Sequence, residues 1–161
     1  MKTIAVIGWK NSGKTTLVSN LTNYYSKKGF KVGVVKHAHH NFDIDHEGTD
    51  SYKIRKSGAY KTTIASNIRL AHMIEAEKLD IDINKIMDMN KDCEILIFEG
   101  FKNYKEFKKI EVSLKINNNK DLYRDIANVL AIVTDDNTEH KIPKFNHNQI
   151  AEIAEFINNN T

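Results

Sequence analysis

Thr3-Ile4-Ala5-Val6-Ile7-Gly8-Trp9-Lys10-Asn11-Ser12-Gly13-Lys14-Thr15-Thr16 decides the fold. Five mostly apolar residues read as a buried strand. The eight that follow fit G-x-x-x-x-G-K-[ST] at every fixed position, and Thr15 to Lys28 reads as a helix with apolar positions at Leu17, Leu21, Tyr24 and Tyr25. A strand, a glycine loop and a helix N-terminus in this order form a cradle for phosphate. Glycine lets the backbone curl until successive N–H groups face one anion. Gly8, Trp9, Lys10, Asn11, Ser12, Gly13, Lys14, Thr15 and Thr16 are therefore the expected phosphate-binding residues. Lys14 would reach the outer phosphates, and the Thr15 hydroxyl would hold Mg²⁺.

Outward from that loop, strands alternate with helices. Lys27-Lys28-Gly29 ends the first helix, and residues 31–36 give a second short strand, predicted to neighbour the first. Residues 37–50 are polar and aperiodic. A helix-like stretch from Ser51 to Ser57 stops at Gly58-Ala59, and strands are expected over Thr62–Ser66 and Ala71–Glu75. Ile81 to Met89 reads as a helix, residues 94–98 as an apolar strand, Ile110–Ile116 and Val129–Val133 as strands, and Asn148–Asn158 as an amphipathic helix. This pattern predicts an α/β fold, doubly wound, with a mostly parallel sheet flanked by helices, as a single domain over residues 1–161. Ligands bind such sheets at the carboxyl ends of the strands. Lys14, His37, Asp43, Glu99 and Asp135 fall at or just beyond such ends.

Composition narrows the classes. A formal charge of +3 does not call for a nucleic-acid partner. Apolar runs are no longer than strands, so no membrane span is expected, and the N-terminus lacks a signal-peptide pattern. With Cys93 the one cysteine, no internal disulfide forms. The cytoplasm is the expected compartment.

Three further groups carry chemistry. Glu99, directly after the apolar strand, stands where a carboxylate meets the metal or its water shell. Lys36, His37, His39, His40, Asp43, Asp45, His46 and Asp50 crowd the segment after the second strand. Asp43 or Asp45 could orient water or Mg²⁺ there, and Lys36 or His37 could meet an anionic ligand. The alternatives are an exposed polar loop or, less in keeping with the spacing, a transition-metal site. Lys102 and Lys105 interleave with Phe101, Tyr104 and Phe107. They either face a phosphorylated ring-bearing ligand or partner, or belong to a loop with buried aromatic anchors. For base selection no Asn-Lys-x-Asp stretch occurs, and Asp135 or Asp136 could pair with the N1 and amino hydrogens of guanine.

Residues 8–16, Val34-Val35-Lys36-His37 with the trailing Asp45, Gly48, Asp50 and Ser51, then Gly58-Ala59, then Phe98-Glu99-Gly100-Phe101-Lys102, coincide with one family. The chain closely resembles the MobB family of molybdopterin-guanine dinucleotide biosynthesis proteins, over nearly its whole length. The resemblance implies a P-loop NTPase-type fold and a dimeric GTP-binding protein with weak GTPase activity. It also implies an accessory role beside a molybdenum cofactor guanylyltransferase, with molybdopterin itself as a further possible ligand. By position, residues 8–16 would hold the phosphates, Glu99 would lie near Mg²⁺ with Thr15, and Lys36, His37, Asp45 and Asp50 would form the second loop. Lys14, Asp45 and Glu99 are the catalytic candidates, and Lys36, His37 and Asp135 join the nucleotide-binding set. Lys10 stands at the third loop position, not the second, where dimeric ATPases resembling the septum-site regulators carry their signature lysine. The alternative is a small phosphoryl-transfer kinase using ATP or GTP. Such enzymes commonly use an arginine-rich lid, and only Arg55, Arg69 and Arg124 occur here.

Overall fold

The structure is a computed structural model and describes residues 1–38, 42–77, 82–117 and 119–161. Its contacts divide the chain into two compact units. Residues 1–37 with 87–161 form the first, and residues 38–86 form the second.

The first unit is built on a six-stranded sheet whose spatial order is β2-β5-β1-β6-β7-β8. The strands are β1 (Lys2–Ile7), β2 (Val32–Lys36), β5 (Ile95–Glu99), β6 (Lys109–Ser113), β7 (Val129–Thr134) and β8 (Lys144–Phe145). Every pair in it is parallel. The helices are α1 (Lys14–Lys27) and α4 (Ile150–Asn160). Beside β1, β5 is buried along its whole length, as an unbroken apolar run requires when both faces are covered. Ile4, Val6, Ile95, Ile97, Ile110, Val112 and Val133 make one face. Leu17, Val18, Leu21 and Tyr25 of α1 and Ile153, Ala154 and Ile157 of α4 pack on it. The Tyr25 hydroxyl, buried in this layer, donates to the Ala154 carbonyl at 2.9 Å. On the opposite face Gly33 lies so close to its neighbours that a Cβ there would stand 2.7 Å from Leu96 Cδ1 and 3.0 Å from Asn90 Oδ1.

Several expectations change. The second strand does not neighbour the first, because β5 lies between them. The most apolar strand takes the interior place beside β1 and the half-exposed β2 the edge. The strand expected to run to Ile116 ends at Ser113, and Lys115–Asn117 form a 3-10 turn. The turn is held by the Lys115 amide, which donates to Asp135 Oδ1 at 2.7 Å, and Ile116 stays exposed. A second 3-10 turn, Leu122–Arg124, and the two-residue β8 carry too little pattern to show in the sequence. The first helix begins one residue early, at Lys14. In the loop 101–109, Phe101 and Phe107 are buried against Phe98 and act as anchors, while Tyr104 is half-buried beside them.

The second unit holds α2 (Asp50–Lys56) and an antiparallel hairpin, β3 (Lys61–Ala65) and β4 (Leu70–Ile74). Thr49 caps α2 by accepting from the Tyr52 amide at 3.2 Å. Arg55 is the hub. Its guanidinium meets Asp43 at 2.5 Å, Glu75 at 2.8 Å and Asp45 at 3.7 Å. A further helix, α3 (Ile83–Met89), has its first residues in the second unit and its last in the first. Its N-terminus is fixed by Asp82, which accepts from the Asn84 amide at 2.9 Å. The expected start at Ile81 lies outside the described residues.

Candidate functional site

The site grows from the carboxyl end of β1. The chain leaves Ile7 into a loop that no ordinary sequence could follow. At Gly8 a Cβ would lie 2.4 Å from both Ser12 Oγ and the Val112 carbonyl oxygen, and moving a backbone carbonyl is not cheap. Asn11 has φ 59°, and Gly13, the residue capping α1, has φ 92° in the left-handed region. Lys14 folds back over the loop it follows. Its ammonium donates to the Trp9 carbonyl at 2.6 Å and the Gly8 carbonyl at 3.1 Å. Burial lowers its pKa, with Lys36 and Lys102 pushing the same way against Glu99. Ser12 Oγ is buried and meets no partner within the protein.

The loop is buttressed from outside. The Trp9 indole N–H donates to the Lys120 carbonyl at 2.8 Å, and Asn117 Nδ2 donates to the Asn11 carbonyl at 3.1 Å. Lys102 stands 5.3 Å from the Trp9 ring centroid in a cation–π contact. His147 donates through Nε2 to the Ser113 carbonyl at 3.1 Å and borders Gly13. Lys10 and Thr16 are exposed.

Beside the loop the sheet register sets Val6, Glu99 and Lys36 abreast. Glu99 Oε1 accepts from the Thr15 hydroxyl at 2.9 Å and from the Lys36 ammonium at 2.8 Å. Three residues expected at the site, 84 and 63 positions apart, thus share one oxygen. His37 follows directly. Its amide donates to the Glu99 carbonyl at 3.0 Å, and its ring meets Phe101 edge to face at 5.2 Å. Gly100, at φ 96°, turns the chain there.

The remaining candidates are placed elsewhere. Asp43 and Asp45 belong to the Arg55 cluster of the second unit. The Arg55 guanidinium, chiefly by hydrogen bonding, lowers the Asp43 pKa. Burial works to raise that of Asp45, but the Ser51 and Thr49 hydroxyls and the His46 amide outweigh it and the net shift is down. Asp50 is exposed at the start of α2. Asp135 is exposed after β7, with one oxygen held by the Lys115 amide. His39 and His40 lie outside the described residues, and among the described residues no three His, Cys, Asp or Glu side chains gather as a metal site. Sequence reasoning missed Asn117, Lys120 and His147. Each reaches the loop from more than a hundred residues away in the chain, and no local pattern marks such a contact.

A parallel sheet with a glycine loop running from β1 into the N-terminus of α1 defines a P-loop NTPase-like α/β protein. Within that class the match is specific. The model of the family described as MobB, molybdopterin guanine dinucleotide synthesis protein B, matches residues 3–135, and the chain belongs to this family. It is 32% identical to the molybdopterin-guanine dinucleotide biosynthesis adapter protein of Escherichia coli (strain K12), over 96% of this chain and 90% of that protein. It is 31% identical to the protein of the same name from Haemophilus influenzae, over 97% of this chain and 87% of the other. A crystal structure described as molybdopterin-guanine biosynthesis protein B superposes with a TM-score of 0.74 at 26% identity, covering 99% of each chain. No helix among the described residues is long and apolar enough to cross a membrane.

Proposed function

We propose that this chain is an accessory protein of molybdopterin guanine dinucleotide synthesis that binds GTP with Mg²⁺ on the loop 8–15 and hydrolyses it slowly. The observation that carries the reading is the meeting of Thr15, Glu99 and Lys36 beside a loop closed by its own Lys14.

The residues fit the groups they would hold. Gly8 keeps the cradle clear of side chain, and Ser12 Oγ is a buried polar atom with no partner in the protein. The Thr15 hydroxyl and the Glu99 carboxylate are hard oxygen donors of the kind Mg²⁺ takes. Bound there, Mg²⁺ would neutralise phosphate charge. The chain's own contributions follow from the geometry. Loop amides and the α1 N-terminus bind the phosphates. Lys14, already desolvated, supplies a cation, and the phosphates compete with the Gly8 and Trp9 carbonyls for it. Glu99 orients the Thr15 hydroxyl, and Lys36 holds Glu99 in its rotamer. Asp45 remains a candidate for positioning water only if it leaves the Arg55 cluster.

Slow turnover is expected because only three arginines occur and two of them are held in ion pairs. Arg124 is paired with Asp121 and Arg55 with its three carboxylates, while Arg69 sits at the hairpin turn. An arginine finger is worth about 10³–10⁵ in rate. The relatives are named adapter proteins, which supports an accessory role, here proposed to be beside a guanylyltransferase. We further propose that the chain acts as a homodimer in the cytoplasm. The test is calorimetric titration of GTP, with and without Mg²⁺, into the wild type and Lys14→Ala. The reading expects Mg²⁺-dependent GTP binding weakened at least about tenfold in the variant. A variant with full GTP affinity refutes it.

A further inference from the structure

Lys14, Lys36 and Lys102 bring their charges together beside the loop 8–15, and two of them are committed. Lys36 is paired with Glu99 at 2.8 Å, and the Lys14 ammonium is held by the Trp9 and Gly8 carbonyls. Lys102 is exposed, and its ammonium stands 5.3 Å from the Trp9 ring centroid. Among the described residues no carboxylate pairs with it. We propose that Lys102 leaves the Trp9 ring when a nucleoside triphosphate binds and contacts the outermost phosphate. The inference rests on the nucleotide reading above and adds to it the residue that tells a triphosphate from a diphosphate.

The turn that carries Lys102 is built to place it. Glu99 closes β5, and the Gly100 amide donates to the Val6 carbonyl at 2.9 Å. Gly100 and Phe101 then stand at φ 96° and 58°. A left-handed conformation is costly for a bulky side chain and persists only where its surroundings fix it. Here Phe101 is buried, and its ring meets those of Phe98, His37 and Tyr104 at 5.2, 5.2 and 5.3 Å. The Tyr104 amide donates to the Phe101 carbonyl at 3.1 Å and completes the turn. Two successive left-handed residues, locked by rings, thus bring residue 102 to the face of Trp9. The indole is fixed in turn by the Lys120 carbonyl at 2.8 Å.

Position along the loop identifies the phosphate. The lysine of such a loop reaches the outer phosphates, and Lys14 rests on the carbonyls of Gly8 and Trp9. Lys102 lies over the side chain of that same Trp9, at the outer end of the triphosphate and away from the nucleoside. Burial first, then Lys36 and Lys102 against Glu99, lower the Lys14 pKa, so the ammonium groups repel one another across a common space. An outer phosphate between Lys14 and Lys102 turns that repulsion into two attractions. The flexible four-carbon stem of lysine gives the ammonium its range. A diphosphate ends one group short and leaves Lys102 on the ring. A lysine also supplies a point charge and no guanidinium fork, in keeping with slow hydrolysis.

The experiment titrates GTP and GDP, each with Mg²⁺, into the wild type, Lys102→Ala, Lys102→Arg, Lys105→Ala and Lys14→Ala. Binding is read by calorimetry and by the emission of Trp9, the one tryptophan of the chain. Lys102→Ala should lose about tenfold or more in GTP affinity and keep its GDP affinity, which shows the loop intact. Lys102→Arg, which keeps the charge, should restore most of the GTP preference. Trp9 emission should respond more to GTP than to GDP, and that difference should vanish in Lys102→Ala. An unchanged ratio of GTP to GDP affinity in Lys102→Ala overturns the assignment. So does an equal loss of both nucleotides, which marks a disturbed loop. The same selective loss in Lys105→Ala, an exposed lysine of the same loop, marks surface charge alone and overturns it too. If Lys14→Ala abolishes GTP binding while Lys102→Ala changes nothing, the nucleotide reading stands and Lys102 alone falls. A wild type that binds neither nucleotide overturns both.

Discussion

Glu99→Gln separates the structural and functional roles of the acid that joins β5 to the phosphate loop. The substitution keeps the shape and one carbonyl oxygen, so the Thr15 hydroxyl retains its acceptor. What is lost is the charge opposite Lys36. The Glu99 side chain is 9% exposed, but that of Lys36 is 58% exposed, so the lysine regains most of its hydration when the pair is broken. The pair therefore belongs with surface ion pairs worth about 0–1 kcal/mol, not with buried ones whose disruption costs about 3–5 kcal/mol. For a chain of this length about 1 kcal/mol lowers Tm by about 2–4 °C. The effect on Mg²⁺ should be larger. Unit charges about 4 Å apart interact by about 4 kcal/mol at an effective dielectric of about 20, and one third of that already equals a factor of about ten. Thermal unfolding by circular dichroism and GTP titration in Mg²⁺ or EDTA measure both quantities on the same preparations. The expected variant is nearly as stable as the wild type, with the Mg²⁺ enhancement of GTP binding reduced at least about tenfold. An unchanged Mg²⁺ enhancement would refute the assignment of Glu99 to the metal side. A loss of Tm well beyond 2–4 °C would refute the reasoning about Lys36 hydration.

Tyr25→Phe removes the buried hydroxyl that ties α1 to the Ala154 carbonyl and should cost about 0.5–1.5 kcal/mol, read from urea unfolding. Burial, with Tyr24 adding to it, holds the Tyr25 pKa up at about 12 against an ordinary 10.0. The unfolded chain therefore ionises first, and the wild type should lose stability between those two pH values, a loss that Tyr25→Phe lacks. In the second unit the pKa values of Asp43 and Asp45 are both lowered. Their stabilisation is complete above the ordinary carboxylate value of about 4 and is lost as pH falls through the lower folded values. Arg55→Met should weaken the unit at neutral pH and flatten that acid limb, and hydrogen exchange of amides in 42–77 across pH would report it. A variant with an unaltered acid limb would remove Arg55 as the cause.

What the sequence made legible was local. The strand, loop and helix of residues 2–27 follow from contiguous pattern, and β5 with Glu99 at its end follows from an unbroken apolar run. The insertion of β5 between β1 and β2 was not legible, because strand order is a property of pairing across sixty residues and leaves no mark on periodicity. Lys36 reaches the Glu99 oxygen only through that insertion, so its tie to Glu99 was not visible, whereas Thr15 and Glu99 were already expected together at the metal. The acids after β2 show the opposite limit. Asp43 and Asp45 suit a phosphate-side loop as well as an ion-pair cluster by spacing alone, and only the position of Arg55 distinguishes the two. Phe101 and Phe107 were equally ambiguous until Phe98 supplied the surface they pack on.

The place of β5 between β1 and β2 also orders the birth of the site. On the ribosome β1, the glycine loop and β2 emerge early, yet the two strands have no edge to share until residue 99 is made, and β6 must follow before β1 is flanked on both sides. Pairings of such long range close slowly, since loop entropy must be overcome before any contact compensates it. The phosphate loop is among the first segments translated and among the last to gain its supports, because Lys120 and His147 arrive later still. A nascent chain interrupted inside the second unit would carry an intact nucleotide motif with no sheet to brace it. On the function proposed above, nucleotide capture would then report that the whole sheet has assembled.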